Sequence, residues 1–240
     1  YASVVSRESV RLAFLIASLN GLKVEAADVG NAFLNAPCAD KIYIVCGMEF
    51  GKEHCGKKAL VVRALYGLRS AGASWRKYCA DILRDELKFT PCKAENDVWF
   101  KAATKEDGTP DYEYILVYTD DLLVVSEYPR RILIAINAQV HLKETSIGKP
   151  TKYLGANIGM HQFEGDDNEY WYMSSEQYVK EAVRNVETYL ENKGRGLKAK
   201  APSVLPSGYA PELDVSSLIN NDRTINYYQQ QIGVLRWVVE

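Results

Sequence analysis

The stretch that decides the fold of this 240-residue chain consists of two apolar runs around a pair of acids, Tyr114-Ile115-Leu116-Val117-Tyr118-Thr119-Asp120-Asp121-Leu122-Leu123-Val124-Val125. Apolar runs on both sides of a short polar turn predict two paired strands, a β-hairpin with Asp120 and Asp121 at its tip. Carboxylates without partners among apolar neighbours would cost several kcal/mol. A divalent cation removes that cost, so the pattern predicts a metal site at the tip.

A third acid of the same kind lies upstream, where Asp28 ends the alternating strand Val24–Val29. Three carboxylates on strand ends are hard oxygen ligands, and they indicate a site for two Mg²⁺ ions that catalyses phosphoryl transfer. In such a site Asp28 and Asp120 would bridge both ions and Asp121 would be the more distant ligand. The same dipeptide at Asp166-Asp167 has polar neighbours and is interpreted as a solvated hairpin loop.

Length and composition are those of an ordinary globular protein. The hydrophobic fraction is 47%, but no apolar run approaches the length of about 18 to 20 residues that a membrane-spanning helix needs, so we expect no membrane partner. Five cysteines, an odd count without zinc-site spacing, favour a reducing compartment. The net charge of -2 means that any nucleic-acid surface must be local. The chain begins at Tyr1, so we expect a piece of a longer protein.

Strand and helix patterns are mixed along the chain, which predicts an α+β fold with an antiparallel sheet backed by helices. The predicted helices cover residues 6–20, 73–87, 129–142, 174–190 and 227–239, and the predicted strands cover residues 24–29, 41–46, 58–63, 97–101, 111–118, 121–125, 152–160 and 170–173. Glycines and prolines between residues 193 and 211 indicate a linker. This arrangement is the architecture of a polymerase palm.

These residues carry a resemblance to reverse transcriptases. The run Asp28-Val29-Gly30-Asn31-Ala32-Phe33-Leu34 resembles their first palm motif, and Tyr118-Thr119-Asp120-Asp121 resembles their Tyr-x-Asp-Asp box. The segment 64–75 is similar to the Leu-Tyr-Gly-Leu-Lys-Gln motif of copia-type LTR retrotransposon polymerases. Further similar segments follow in order at residues 42–44, 153–155, 175–179, 202–211 and 228–237. The resemblance therefore covers nearly the whole chain.

The resemblance implies a polymerase palm with partial fingers and a thumb-like C-terminal part. Residues 1–160 would form the partial fingers and palm, residues 161–192 a thumb-like hairpin and helix, residues 193–226 a linker, and residues 227–240 the start of a connection toward an absent ribonuclease H domain. It further implies an RNA-directed DNA polymerase that transfers nucleotides to a primer 3′ hydroxyl with two Mg²⁺ ions. RNA template, DNA primer and deoxynucleoside triphosphates would be its partners, together with the ribonuclease H and integrase segments of a polyprotein active in DNA integration.

The same resemblance assigns roles to individual residues. The catalytic acids would be Asp28, Asp120 and Asp121, and Val29 would join them as a metal ligand. The nucleotide pocket would contain Phe33, Tyr66, Gly67 and Arg69, with Phe33 as the steric gate that excludes a 2′ hydroxyl. The primer and template would contact Tyr118, Arg76 and Lys77. Two alternatives stay open, since Phe33 could simply be the first buried ring of a helix and Arg69 a solvated arginine.

Departures from the family pattern leave activity open. Ser70, Gly72 and Thr119 stand where the family usually has Gln, Pro and Val, and we expect the basic fingers segment to precede the start of this chain. A catalytically inactive retroelement remnant that binds nucleic acid or protein is therefore a second hypothesis, and a nucleotidyl cyclase-like palm is a third, which the ordered motifs disfavour. The expected location is a retroelement particle in the cytoplasm, or the nucleus.

Overall fold

The computed structural model describes residues 3–197, 210, 213, 215 and 221–239. The helices are α1 (Arg7–Asn20), α2 (Ala32–Asn35), α3 (Ala71–Asp81), α4 (Pro129–Asn137), α5 (Glu176–Glu191) and α6 (Asp222–Val239). The strands are β1 (Lys23–Asp28), β2 (Tyr43–Val45), β3 (Lys58–Leu60), β4 (Thr90–Pro91), β5 (Val98–Thr104), β6 (Pro110–Tyr118), β7 (Asp121–Ser126), β8 (Lys152–Tyr153), β9 (Ala156–Gln162) and β10 (Glu169–Ser174). One compact unit comprises Tyr1–Thr151 and Ile158–Tyr172, and another comprises Lys152–Asn157 and Met173–Glu240.

The first unit is built on a five-stranded sheet with the order β1-β7-β6-β5-β4. Every neighbouring pair of these strands is antiparallel. The predicted hairpin forms β6 and β7, and β1 pairs with β7 along its full length, from Lys23 opposite Ser126 to Asp28 opposite Asp121. The sheet order therefore brings the end of β1 beside the tip of the hairpin.

Helices cover this sheet because alternate side chains of a strand project to opposite faces. Leu122 and Val124 of β7 belong to the main core, which also contains Trp75 of α3 and Leu133 of α4. Helix α1 packs against β1 and β7, where Leu123 is fully buried. The predicted α+β class, an antiparallel sheet with helices packed against it, is confirmed.

Helix α1 begins and ends as its sequence predicts. The Ser6 hydroxyl accepts a hydrogen bond from the Ser9 N–H, a standard N-terminal cap. Gly21 adopts a left-handed conformation with φ +64 and donates its N–H to the Ala17 carbonyl. Its buried residues, Val10, Ala13, Phe14 and Ala17, form an apolar stripe at helical spacing.

The structure breaks one predicted strand in two. A single strand is predicted over residues 152–160, whereas β8 ends at Tyr153 and β9 begins at Ala156. Leu154 and Gly155 between them have φ +48 and +76, and Tyr153 pairs with Ala156 across this tight turn. Gly155 is the only local signal for the turn, because leucine rarely adopts a positive φ such as that of Leu154.

Helices α4 and α6 also have boundaries that differ from the prediction. Helix α4 ends at Asn137 rather than near residue 142, and the Asn137 side chain accepts a hydrogen bond from the Leu142 N–H at 2.8 Å. Helix α6 begins at Asp222, inside the predicted linker 193–226. Most of that linker, and nearly all of the similar segment 202–211, lies outside the described residues.

In the second unit, helices α5 and α6 contact each other through stacked rings. The rings of Tyr189 and Tyr227 lie 3.6 Å apart and nearly parallel, and the Tyr227 hydroxyl donates to the Asn185 carbonyl. In the part of the chain that the structure describes, no helix has both the length and the hydropathy to cross a bilayer.

Candidate active site

The tip of the β6–β7 hairpin is a two-residue turn, Thr119 and Asp120, which we call the acidic turn. Tyr118 pairs with Asp121 across it. Thr119 has φ +55, which is costly for a β-branched residue. Two hydrogen bonds fix this backbone, since the Trp75 indole N–H donates to the Thr119 carbonyl at 2.6 Å and the Val29 N–H donates to the Asp120 carbonyl at 2.8 Å.

Asp28 lies beside the acidic turn because it is the last residue of β1 and is paired directly with Asp121. Side chains of directly opposed residues in an antiparallel pair project from the same face, with Cβ atoms roughly 5 Å apart. The structure thus brings together the three acids that the sequence singles out. Val29 follows Asp28 in sequence, and because a valine side chain has no ligand atom, only its backbone carbonyl could bind a cation.

A lysine that the sequence analysis does not identify binds Asp28. The Lys143 ammonium nitrogen lies 2.8 Å from each carboxylate oxygen and donates a hydrogen bond to Oδ2. Oδ1 is buried and, despite this close ion pair, has no hydrogen bond of good geometry. No local signal marks Lys143, which lies 115 residues from Asp28 and outside every motif.

The other two acids perturb the ionisation of Asp121. The pKa of Asp121 is raised to about 6, first by desolvation and then by the neighbouring charges of Asp120 and Asp28, while Lys143 opposes them. Hydrogen bonds and the charge of Asp28 raise the pKa of Lys143, with a contribution from Asp120. Crowded carboxylates of this kind favour a bound cation.

The Asp166-Asp167 dipeptide behaves differently, as its polar neighbours predict. Asp166 lies in the loop between β9 and β10, where its carboxylate accepts hydrogen bonds from the Asn168 N–H and the Tyr170 hydroxyl. These hydrogen bonds lower the pKa of Asp166, led by the one from the Asn168 backbone. Asp121 and Asp166, one from each Asp-Asp pair, therefore have pKa values shifted in opposite directions.

The donor chemistry suits a hard divalent cation, although the geometry is not preassembled. Carboxylate oxygens are the ligands that Mg²⁺ prefers, and Asp28 Oδ1 is a buried acceptor without a hydrogen bond. However, no group of three His, Cys, Asp or Glu side chains among the described residues is arranged to hold a metal ion. Lys143 instead neutralises part of the negative charge.

Two of the predicted nucleotide-pocket residues contact each other. The Phe33 and Tyr66 ring centroids lie 4.7 Å apart, and Phe33 is partly buried against the main core. Tyr66 contributes to the raised pKa of Lys143, which indicates that this pair of rings lies near the acids. Gly67 has φ +94 with open space around it, so its glycine is required by backbone conformation. Arg69 is exposed.

Two of the predicted primer and template residues, Arg76 and Lys77, have protein partners. Arg76 Nε donates to Asp97 at 2.9 Å, and the Asp97 side chain is only 7% exposed. Lys77 pairs with Asp81 one helical turn away at 2.8 Å. Tyr118 ends β6 next to the acidic turn. Arg76 and Asp97 also line a cavity of about 250 Å³ that extends to Thr119.

Comparisons with known proteins assign the family. The model of the family described as reverse transcriptase (RNA-dependent DNA polymerase) matches residues 1–193. A Saccharomyces cerevisiae protein named for transposon Ty5-1 is 29% identical over 164 residues, which are 67% of this chain and 49% of that protein. The retrovirus-related Pol polyprotein from transposon TNT 1-94 of Nicotiana tabacum is 30% identical over 132 residues, 53% of this chain and 9% of the polyprotein.

These alignments span about half of one relative and about a tenth of the other. The family match includes β1, the β6–β7 hairpin and helix α3, so it covers every residue of the candidate site. The resemblance seen in the motifs is therefore confirmed, and the chain belongs to the reverse transcriptase (RNA-dependent DNA polymerase) family.

Proposed function

We propose that this chain is the RNA-directed DNA polymerase segment of a copia-like retrotransposon polyprotein and that it adds deoxynucleotides to a DNA primer on an RNA template. The observation that carries the proposal is the pairing of Asp28 with Asp121 beside the acidic turn, within the segment that matches the family. Its other partners would be the ribonuclease H and integrase segments of the same polyprotein, in a cytoplasmic particle or the nucleus.

Asp28, Asp120 and Asp121, with the Val29 carbonyl, would hold the metal ions. Two Mg²⁺ ions bound there would supply Lewis-acid activation of the primer 3′ hydroxyl and neutralise the leaving pyrophosphate. The protein contributes rigidity, because Asp28 and Asp121 lie on paired strands and Asp120 is fixed through its carbonyl by Val29.

The remaining site residues would bind substrates. Phe33, supported by the Tyr66 ring, would stack below the incoming sugar and occupy the space that a 2′ oxygen needs. The backbone at Gly67 and the exposed Arg69 would contact the nucleotide or template. Tyr118, Arg76 and Lys77 would contact the primer and template strands. Arg76 would do so through its terminal nitrogens, since Nε is bound to a buried carboxylate.

Primer extension on primed RNA with Mg²⁺ tests the proposal. The assay compares the wild type, Asp120→Asn and the matched control Asp167→Asn. Each is tested in two forms, the 240-residue chain and a chain extended at its N-terminus with the upstream residues of its polyprotein. We expect Asp120→Asn to abolish extension with an unchanged circular dichroism spectrum, while Asp167→Asn retains it. Extension by Asp120→Asn at the wild-type rate would refute the assignment.

A second candidate function is a catalytically inactive remnant that only binds nucleic acid. Asp28 is held by Lys143, and no metal site is preassembled among the described residues. Such a protein would bind the primed duplex equally with Mg²⁺ and with a chelator, and would incorporate no nucleotide in either version of the chain. Incorporation by the N-terminally extended version alone would instead indicate an incomplete active site.

A further inference from the structure

The segment after helix α4 is bound along β1 and fixes the backbone of Lys143. The Gly30 N–H donates to the His141 carbonyl at 2.8 Å, and the Lys143 N–H donates to the Asp28 carbonyl at 2.9 Å. Further along, Ala26 and Gly148 exchange two backbone hydrogen bonds. Backbone hydrogen bonds therefore hold Lys143 beside the end of β1, within reach of the Asp28 carboxylate.

The Lys143 side chain neutralises Asp28 from the open side of the site. Its nitrogen lies 2.8 Å from both carboxylate oxygens, and the side chain is 52% exposed, against 28% for Asp28. Ser146 supports this arrangement, since its hydroxyl accepts the Asp28 N–H and donates to the Lys143 carbonyl. Asp120, Asp121 and Tyr66 are further ionisable groups close enough to act on Lys143 or to be acted on by it.

An ammonium group and a divalent cation compete for the same oxygens. Mg²⁺ binds carboxylate oxygens at about 2.0 to 2.1 Å. A lysine nitrogen that lies beside both oxygens of Asp28 therefore occupies the space that the cation needs. The two positive charges would also repel each other at this distance. Half of the lysine side chain is exposed, so it can leave Asp28 without disturbing the core.

We propose that Lys143 is the resident counter-ion of Asp28 and that it must leave the carboxylate before a divalent cation binds there. This inference rests on the proposed function, because it takes the three acids to be metal ligands. Lys143 then sets the affinity of the site: it stabilises the acids when no cation is bound, and it weakens cation binding by the free energy of its own ion pair.

Titration with Mn²⁺, with the free ion followed by electron paramagnetic resonance, tests the inference. The variants are Lys143→Met, which removes the charge, and Lys143→Arg, which retains it. Lys149→Met is the matched control, because it removes the same charge from a lysine whose ammonium lies over the Trp171 ring, 5.2 Å from its centre, and not beside Asp28. We expect Lys143→Met to bind Mn²⁺ about fivefold more tightly, the upper range for a half-exposed ion pair. The other two variants should bind like the wild type.

Asp120→Asn separates failure of the inference from failure of the proposed function. Equal Mn²⁺ affinity in the wild type and Lys143→Met, together with a loss of binding in Asp120→Asn, would overturn the counter-ion role alone. Absence of saturable Mn²⁺ binding in all variants would overturn the metal site and the inference with it. If Lys143→Met does not fold, the ¹⁵Nζ resonance of Lys143 in the wild type decides: we expect it to shift on Mg²⁺ addition, and an unchanged resonance at saturating Mg²⁺ would overturn the inference.

Discussion

Trp75→Phe tests how the acidic turn is held in place. Trp75 is 2% exposed, and its indole N–H is the donor to the Thr119 carbonyl at 2.6 Å. Phenylalanine keeps the aromatic packing but removes this donor. Loss of the donor to a partly buried carbonyl costs about 1 to 3 kcal/mol. The smaller ring buries about 40 Å² less apolar surface, which costs about 1 kcal/mol more. We therefore expect the free energy of unfolding to fall by about 3 kcal/mol.

The chain provides a matched control in Trp99→Phe. Trp99 of β5 is 5% exposed and also lines the cavity next to helix α3, but its indole N–H donates to none of the described residues. The same ring change there should cost about 1 kcal/mol through lost burial alone. Urea denaturation followed by far-ultraviolet circular dichroism measures both values, and the difference of about 2 kcal/mol isolates the hydrogen bond.

Hydrogen exchange shows whether the effect reaches the acidic turn. The Val29 amide donates to the Asp120 carbonyl on the other side of this turn. Trp75→Phe should therefore speed exchange at Val29, whereas Trp99→Phe should leave it unchanged. Equal destabilisation by the two substitutions, with Val29 equally protected in both, would show that the indole hydrogen bond does not hold the turn.

Three further predictions follow from the electrostatics and packing of the site. Asp121→Asn should raise the stability of the metal-free chain by about 1 kcal/mol at pH 7 to 8, after allowance for solvent screening. Because folding raises the pKa of Asp121 from 3.8 to about 6, the wild-type carboxylate destabilises the fold increasingly between these two values and fully above about pH 6. The gain should therefore vanish below about pH 4 in thermal melts with a chelator, and Asp167→Asn should show none. Asp97→Ala should lower stability by about 2 to 3 kcal/mol in urea denaturation, because it leaves Arg76 without its buried carboxylate; an unchanged midpoint would contradict this. Phe33→Val should let the N-terminally extended chain incorporate ribonucleotides, and unchanged discrimination in primer extension would remove Phe33 as the steric gate.

Local chemistry made much of this fold predictable from sequence. The cap at Ser6, the stop at Gly21 and the apolar runs beside Asp120 each depend on neighbours within a few residues, and the structure has all three. The meeting of Asp28 with Asp121 needed the motif resemblance, because strand order cannot be read from either segment alone.

Long-range contacts explain what the sequence analysis missed. Lys143 approaches Asp28 only because the segment after α4 is bound along β1, and no motif or periodicity marks that lysine. The Arg76–Asp97 ion pair likewise depends on how α3 packs against the start of β5. Both are tertiary contacts between charged side chains, and local sequence patterns do not predict which charged residues will meet.

The energetic cost of the site is concentrated at one end of the β1–β7–β6 sheet. Thr119 has a positive φ, which costs on the order of 1 to 3 kcal/mol, and the Asp121 carboxylate is desolvated beside two other acids. Asp166, in the other Asp-Asp pair, has a lowered pKa, so an Asp-Asp sequence alone does not produce this electrostatic cost. Sequences that specify one fold avoid local conflicts except where function requires them.

Three contacts offset this cost, and each approaches from a different element: Trp75 from helix α3, Val29 from the end of β1, and Lys143 from the segment after α4. The hydrogen bonds from Trp75 and Val29 to carbonyls of the acidic turn hold the turn whether or not a cation is present. Lys143 offsets negative charge only while it remains on Asp28. If the site binds Mg²⁺, substitutions of the backbone supports should weaken both folding and cation binding. Removal of Lys143 should weaken the metal-free fold but strengthen cation binding, and this opposite sign distinguishes a counter-ion from a structural support.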